Sequence, residues 1–245
     1  MKIINKIIKK ILKKLSRVVF HLIPHELYSF FKIGTKAKNV HTHYIENENL
    51  QCFNHLEKHL QNAVHLDDGL GIRKYAIEKS LLNDKGKNKF YLEFGVWKGD
   101  TANFFSEYVN KLYVFDSFEG LREDWIGEHL PKGHFNLDKK IPKLNKNIEP
   151  IVGFIQDTLE DFLKKHNPKI NFAHMDIDTY ESTKYVLEKL KPYLIKDSII
   201  LFDELYNFPG WRNGEYKALQ ETFDESEYKF RAFSKNGYQV VIQIN

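Results

Sequence analysis

One cysteine, Cys52, is all that the 245 residues contain. This excludes an intramolecular disulfide and any zinc or iron–sulfur site built on several thiolates. It fits a reducing compartment, with the cytoplasm as the expectation. Acid is missing from the first 23 residues, where Lys2, Lys6, Lys9, Lys10, Lys13, Lys14 and Arg17 stand alone. Those seven come out of 37 Lys and Arg in the whole chain, so the rest carries 30 bases against 33 acids and is net negative. A body of that balance is not built to coat nucleic acid, which needs basic side chains spread over a face. Internal repeats are also lacking, and the length suits one α/β domain with an appendage rather than two catalytic domains.

The basic segment has no uninterrupted apolar run, so it is neither a secretory signal nor a membrane span. Ile3, Ile4, Ile7, Ile8, Ile11, Leu12, Leu15, Val18, Val19 and Leu22 recur at three- and four-residue spacing, with lysines on the other face. This predicts an amphipathic basic helix over residues 1–23, ending near Pro24. Such a helix reads equally as a peripheral membrane contact and as a cover or pairing surface for a second subunit. On anionic lipid each base contributes on the order of 1 kcal/mol. Residues 24–89 are expected to form an N-terminal helical cap, and residues 90–245 the main domain.

From Phe90 the chain alternates short apolar runs with helical patterns. Strands are expected at Phe90–Phe94, Leu112–Phe115, Pro150–Phe154, Ile170–Met175 and Ser198–Phe202. Helices are expected near 101–109, 159–165, 180–190, with Thr179 as cap, and 215–223. Five such units imply a parallel sheet. The ending differs: Tyr228–Phe233 and Tyr238–Ile244 flank Ser234-Lys-Asn-Gly237, a hairpin signal. The expected fold is therefore α/β and Rossmann-like, a seven-stranded sheet with a C-terminal antiparallel hairpin, the order of class I methyltransferases.

In an open parallel sheet a ligand sits outside the carboxyl ends of the strands, where strand order reverses. Glu93-Phe-Gly95-Val-Trp-Lys-Gly99 closes the first of these strands. Gly95 and Gly99 let the backbone approach a ligand, and their spacing is not that of a pyrophosphate-binding loop. Glu93 favours a cationic methionyl group over a dinucleotide. Asp116, ending the next strand, is placed to accept ribose hydroxyls. The bland alternatives are a turn glycine and an aspartate that caps a helix.

Four stretches then resemble the macrocin O-methyltransferase family: Glu93-Phe-Gly-Val-Trp-Lys-Gly99, Tyr113-Val-Phe-Asp-Ser-Phe-Glu-Gly120, Gly153-Phe-Ile-Gln-Asp-Thr-Leu159 and Met175-Asp-Ile-Asp-Thr-Tyr-Glu-Ser-Thr183. The likeness spans about 90–223. It implies S-adenosylmethionine as donor, Mg²⁺-assisted transfer to a sugar hydroxyl, and frequent homo-oligomers. It adds Ser117, Asp157, Thr158 and Asp176 to the expected cofactor-binding residues.

Asp176 ends the fourth strand and Asp203-Glu204 the fifth, so three carboxylates are expected to converge as ligands for a hard cation such as Mg²⁺. The resemblance places its metal at the same positions, although Glu204 is longer than the family's usual residue there. Asp178 is the candidate base for the acceptor proton, with Asp176 beside it and His129 and His134 as loop alternatives. His174 is expected to point into the fold, and His41 and His43 to be plain surface. The long 117–147 stretch and the aromatic residues of 206–214 are expected to meet the acceptor. The rival readings are metal-independent transfer to a non-sugar hydroxyl or amine, and an inactive methyltransferase-like module that docks on a membrane or a partner.

Overall fold

The structure is a computed structural model and describes residues 39–67, 69–82, 89–128 and 130–245; the expected helix over 1–23 and His129 lie outside them. The chain divides after Tyr44, and the whole sheet belongs to the unit Ile45–Asn245. Its strands are β1 (Val64–Leu66), β2 (Lys89–Phe94), β3 (Leu112–Asp116), β4 (Ile148–Val152), β5 (Lys169–Met175), β6 (Leu194–Phe202), β7 (Tyr228–Ser234) and β8 (Val240–Ile244). The helices are α1 (Val40–Leu60), α2 (Gly69–Leu82), α3 (Asp100–Ser106), α4 (Ile155–His166), α5 (Tyr180–Leu190) and α6 (Glu215–Thr222).

All eight strands form one sheet in the order β1-β7-β8-β6-β5-β2-β3-β4. Side chains alternate across it as a strand's two-residue period requires. In β6, Ile200 and Phe202 face one core with Leu92, Phe94 and Phe115, while Ile199 and Leu201 face the other with Val114 and Phe172. The first core is covered by Leu56 of α1, Leu159 and Phe162 of α4, Val186 of α5 and Leu219 of α6. The second lies under Ile72 and Ala76 of α2 and Ala102 and Phe105 of α3. Both faces are thus buried, and this is why the central strands read as nearly continuous apolar runs.

The eighth strand exceeds the expected seven. It is β1, parallel to β7 with Val64 opposite Ala232. Three partly exposed residues carry no strand signal on their own. The described part of 24–89 therefore holds α1, α2 and this sheet edge. Within the C-terminal hairpin only β8 runs against the rest, antiparallel to both β6 and β7.

Strand order reverses at β2, with β3 on one side and β5 on the other. The crevice for a ligand is expected outside the carboxyl ends of these strands.

Candidate active site

A cavity of about 410 Å³ opens there, lined from the ends of β2, β3, β5 and β6. That volume is within the range of small-molecule sites. Its floor is the turn after β2. Gly95 stands at φ 87°, and a Cβ in its place would lie 1.7 Å from the Asp176 carbonyl oxygen. Only a glycine lets the β2 turn pass this close to the end of β5.

Asp116 lines the cavity and fastens the same turn. Its Oδ2 accepts the Val96 and Trp97 amides at 2.8 and 2.9 Å, and its Oδ1 accepts the Phe118 amide at 2.7 Å. A carboxylate offers about four lone-pair positions, so one is left for a ligand hydroxyl. Ser117 also lines the cavity, with its Oγ accepting the Glu119 amide. Gly99 is not among the lining residues; it precedes α3 behind the turn. Asp157 and Thr158 do not line the cavity either. Because α4 starts at Ile155, Ile155 and Gln156 face inward, whereas Asp157 is exposed and the Thr158 hydroxyl donates to the Phe154 carbonyl.

Glu93 is fully buried one layer behind the cavity wall. Its Oε1 pairs with His174 Nδ1 at 3.0 Å, and the other ring nitrogen faces Asp203 Oδ1 at 3.5 Å. His174 does point into the fold. Burial alone would lower its pKa, but hydrogen bonds to Asp203 and Glu93 outweigh this and push it up to about 10. Asp203 is held further by Arg73 Nη2 at 2.7 Å and Gln239 Nε2 at 3.3 Å. Burial opposes its charge, yet His174 and Arg73 keep its carboxyl well below the usual range.

Asp203 is thus occupied by donors, and it also stands with His174 and Asp176 in one of two groups whose ligand atoms lie within 4.8 Å of one another. The oxygens that converge without such partners are those of Asp176, Asp178 and Glu204, within 4.8 Å of one another. Burial first, and then mutual repulsion, raises all three: Asp176 to about 7, Asp178 and Glu204 well above the carboxylate range. Glu204 Oε2 is buried with no partner among the described residues. Behind it, the fully buried Glu215 accepts the Glu204 amide at 3.0 Å. Asp178 adopts φ 62°, and Trp97 and Phe118 adopt φ 45° and 55°. Non-glycine residues held in the left-handed region gather where structure serves function.

The return from β3 to β4 contributes Gly120, Leu121, Arg122, Trp125 and Phe135 to the cavity. At the mouth, the Trp97 and Phe135 rings meet edge to face at 5.3 Å, and Lys98 Nζ lies 4.0 Å over Trp97. Gly127 and Gly210 touch back to back, a Cβ on the former meeting Gly210 Cα at 2.5 Å. The aromatic faces of 206–214 do not reach the cavity: Tyr206, Phe208 and Trp211 are core residues and Arg212 pairs with Glu48 at 2.8 Å. Thr179 begins α5 without a capping bond; its buried hydroxyl has no partner among the described residues and lines the cavity. His134 is exposed and outside the lining. Arg73 and Glu215 had no sequence signal, since each stands alone in its local pattern, and Thr179 was read only as a helix cap.

Residues 92–205 match the model of a methyltransferase domain. This chain carries a methyltransferase domain. S-adenosylmethionine is the donor that such a domain uses. No curated protein matches the chain. Among solved structures it is similar to CalS11, a calicheamicin methyltransferase, at 19% identity over 85% of this chain and 94% of that one, with a TM-score of 0.59. A second CalS11 structure, the apo form of a TDP-rhamnose 3'-O-methyltransferase, shares 22% identity over 71% and 78%, with a TM-score of 0.52. The O-methyltransferase NovP shares 19% over 72% and 79%, with a TM-score of 0.51. Identities this low establish a common fold. Among the described residues no helix is long and apolar enough to cross a membrane.

Proposed function

We propose that this methyltransferase transfers the methyl group of S-adenosylmethionine to a hydroxyl of a sugar, assisted by a divalent cation such as Mg²⁺. The observation that carries the reading is the crowding of Asp176, Asp178 and Glu204, with no cationic side chain bonded to them among the described residues. Three neighbouring carboxylates with raised proton affinity are a poor arrangement by themselves and a good one around a hard ion. The all-oxygen donor set and the orphaned Glu204 Oε2 fit Mg²⁺. When bound, the ion would polarise the acceptor oxygen and offset the charge that develops on it.

The chain's own groups would do the rest. Asp178, which lines the cavity beside Asp176, takes the hydroxyl proton. The turn at Gly95 and the Asp116 carboxylate fix the donor. Trp97, Trp125 and Phe135 give apolar faces of the kind that sugar rings stack on, and the aromatic mouth excludes water. The match to CalS11, described as acting on TDP-rhamnose, supports a sugar acceptor. We place the enzyme in the cytoplasm at the inner face of the membrane, held by residues 1–23 on anionic lipid and acting in glycan or glycolipid assembly.

Two experiments test this. Labelled methyl donor incubated with sugar nucleotides and glycosides should give transfer that chelator abolishes and Mg²⁺ restores. Transfer that ignores chelator removes the cation, and transfer to amines alone removes the O-methylation reading. Deleting residues 1–23 should abolish sedimentation with anionic liposomes, and unchanged sedimentation would remove the membrane contact.

A further inference from the structure

The methionyl tail of the donor ends in two opposite charges, an ammonium and a carboxylate, and the inner end of the cavity is lined mostly by acids. Asp176, Asp178, Asp203 and Glu204 line it, with Glu93 buried behind. A carboxylate entering this end meets like charge on every side, which is costly unless a cation is already in place. Among the described residues three cations line the cavity. Lys98 lies over Trp97 and Arg122 over Phe154, where it also donates to Gln156 Oε1. Of the three, Arg73 reaches the acids, from α2, with its Nη2 2.7 Å from Asp203 Oδ1.

That bond uses one of the five N–H donors of a guanidinium. Arg73 Nε is buried and has no partner among the described residues. A buried donor left unmade is unfavourable by about 1–3 kcal/mol and calls for an acceptor that the protein does not supply. We propose that Arg73 binds the carboxylate of the donor's methionyl tail through Nε–H and a neighbouring guanidinium N–H, with Asp203 holding the guanidinium from its far side. The planar fork of arginine matches a carboxylate in this two-point manner, which a lysine would not reproduce. Asp203 then has work that differs from metal ligation: fixed by Gln239 and His174, it orients Arg73 and lets a cation sit beside the acids. This inference rests on the reading that the cavity binds S-adenosylmethionine.

Calorimetry on the intact protein tests it with two probes, S-adenosylmethionine and its decarboxylated analogue, which keeps the amine and lacks the carboxylate. The wild type should bind the analogue about 100-fold more weakly, the loss of two charge-assisted hydrogen bonds. Arg73→Met should reduce S-adenosylmethionine to the analogue's affinity while barely changing the analogue, and Arg73→Lys should recover only part of the difference. Equal affinity of the wild type for both probes overturns the proposal and leaves the donor site standing, and this comparison needs no variant to fold. An Arg73→Met protein that still prefers S-adenosylmethionine by the full factor also overturns it. Failure of the wild type to bind either probe removes the donor reading and the proposal together.

Discussion

Replacing Gly95 with alanine puts one methyl group where the turn after β2 touches the end of β5. The added Cβ would begin 1.7 Å from the Asp176 carbonyl oxygen, and contacts under 3.0 Å are essentially never seen. The turn must therefore retreat by about 1.3 Å, the difference between those two distances. Left-handed backbone at φ 87° adds roughly 1–2 kcal/mol for a residue with a Cβ. Because β3 lies on the other side of β2 from β5, a retreat of this size drives the turn toward Asp116 and distorts the amide bonds of Val96 and Trp97 to its carboxylate, now 2.8 and 2.9 Å. Hydrogen bonds to a charged group contribute about 1.5–3 kcal/mol each. Gly133→Ala is the control. Its φ is 81° with nothing within 4 Å of the added Cβ, so it carries the backbone cost without the clash. At about 2–4 °C per kcal/mol for a domain of this size, Gly133→Ala should lower Tm by a few degrees and leave donor affinity intact. Gly95→Ala should lower Tm by on the order of 10 °C or more. It should also weaken S-adenosylmethionine binding by about 100-fold, the usual penalty for misplacing a binding element by 1 Å. Thermal denaturation and calorimetry on both variants decide the matter. If Gly95→Ala loses no more stability than Gly133→Ala and binds the donor within twofold of wild type, the steric argument fails.

Other expectations concern the acids. Asp178→Asn should lower kcat by about 10²–10⁴ with donor Kd unchanged, in single-turnover assays; an unaffected kcat would move the proton elsewhere. Asp176→Asn and Glu204→Gln should abolish Mg²⁺ binding in titrations, whereas Asp203→Asn should retain it; the reverse pattern would restore Asp203 as a ligand. The pH dependence of stability has a definite sign. Asp176 is raised from 3.8 to about 7, so the folded state holds its proton longer and stability falls as pH rises through that window. His174, raised from 6.5 to about 10, contributes stability present below 6.5 and lost as pH climbs toward 10. In chelator, stability should therefore fall from pH 5.5 to pH 8 by about a few kcal/mol, seen as a drop in Tm. Mg²⁺ should raise Tm more at pH 8 than at 5.5. A flat profile, or a gain from Mg²⁺ equal at both values, would refute the cluster's electrostatics.

Much of this was legible in the sequence because the sheet is buried on both faces, which leaves unbroken apolar strands ending in glycine or acid. Gly95, Asp116, Asp176 and Glu204 were found that way, and the structure brings them to one cavity. What escaped has a common cause. Arg73 pairs with Asp203 across the fold, and a single arginine on α2 gives no local pattern. β1 is strand only because β7 offers an edge. Asp116 looked like a hydroxyl acceptor, and its three amide partners depend on a loop conformation that no periodicity encodes. Tyr206, Phe208 and Trp211 suggested a recognition surface because core aromatics and binding aromatics are alike in sequence.

The placement of β8 has a consequence for how the molecule comes to be. The last strand of the chain fills an interior slot between β6 and β7, and β1, from the beginning of the unit, closes the far edge. Until Val240–Ile244 are in place, β6 presents an open apolar edge, and such edges recruit other chains. Assembly must therefore finish by insertion rather than by addition at a rim, a nonlocal and slow step. Loss of the five residues Val240–Ile244 would leave β7 and β1 with nothing to join them to the rest of the sheet.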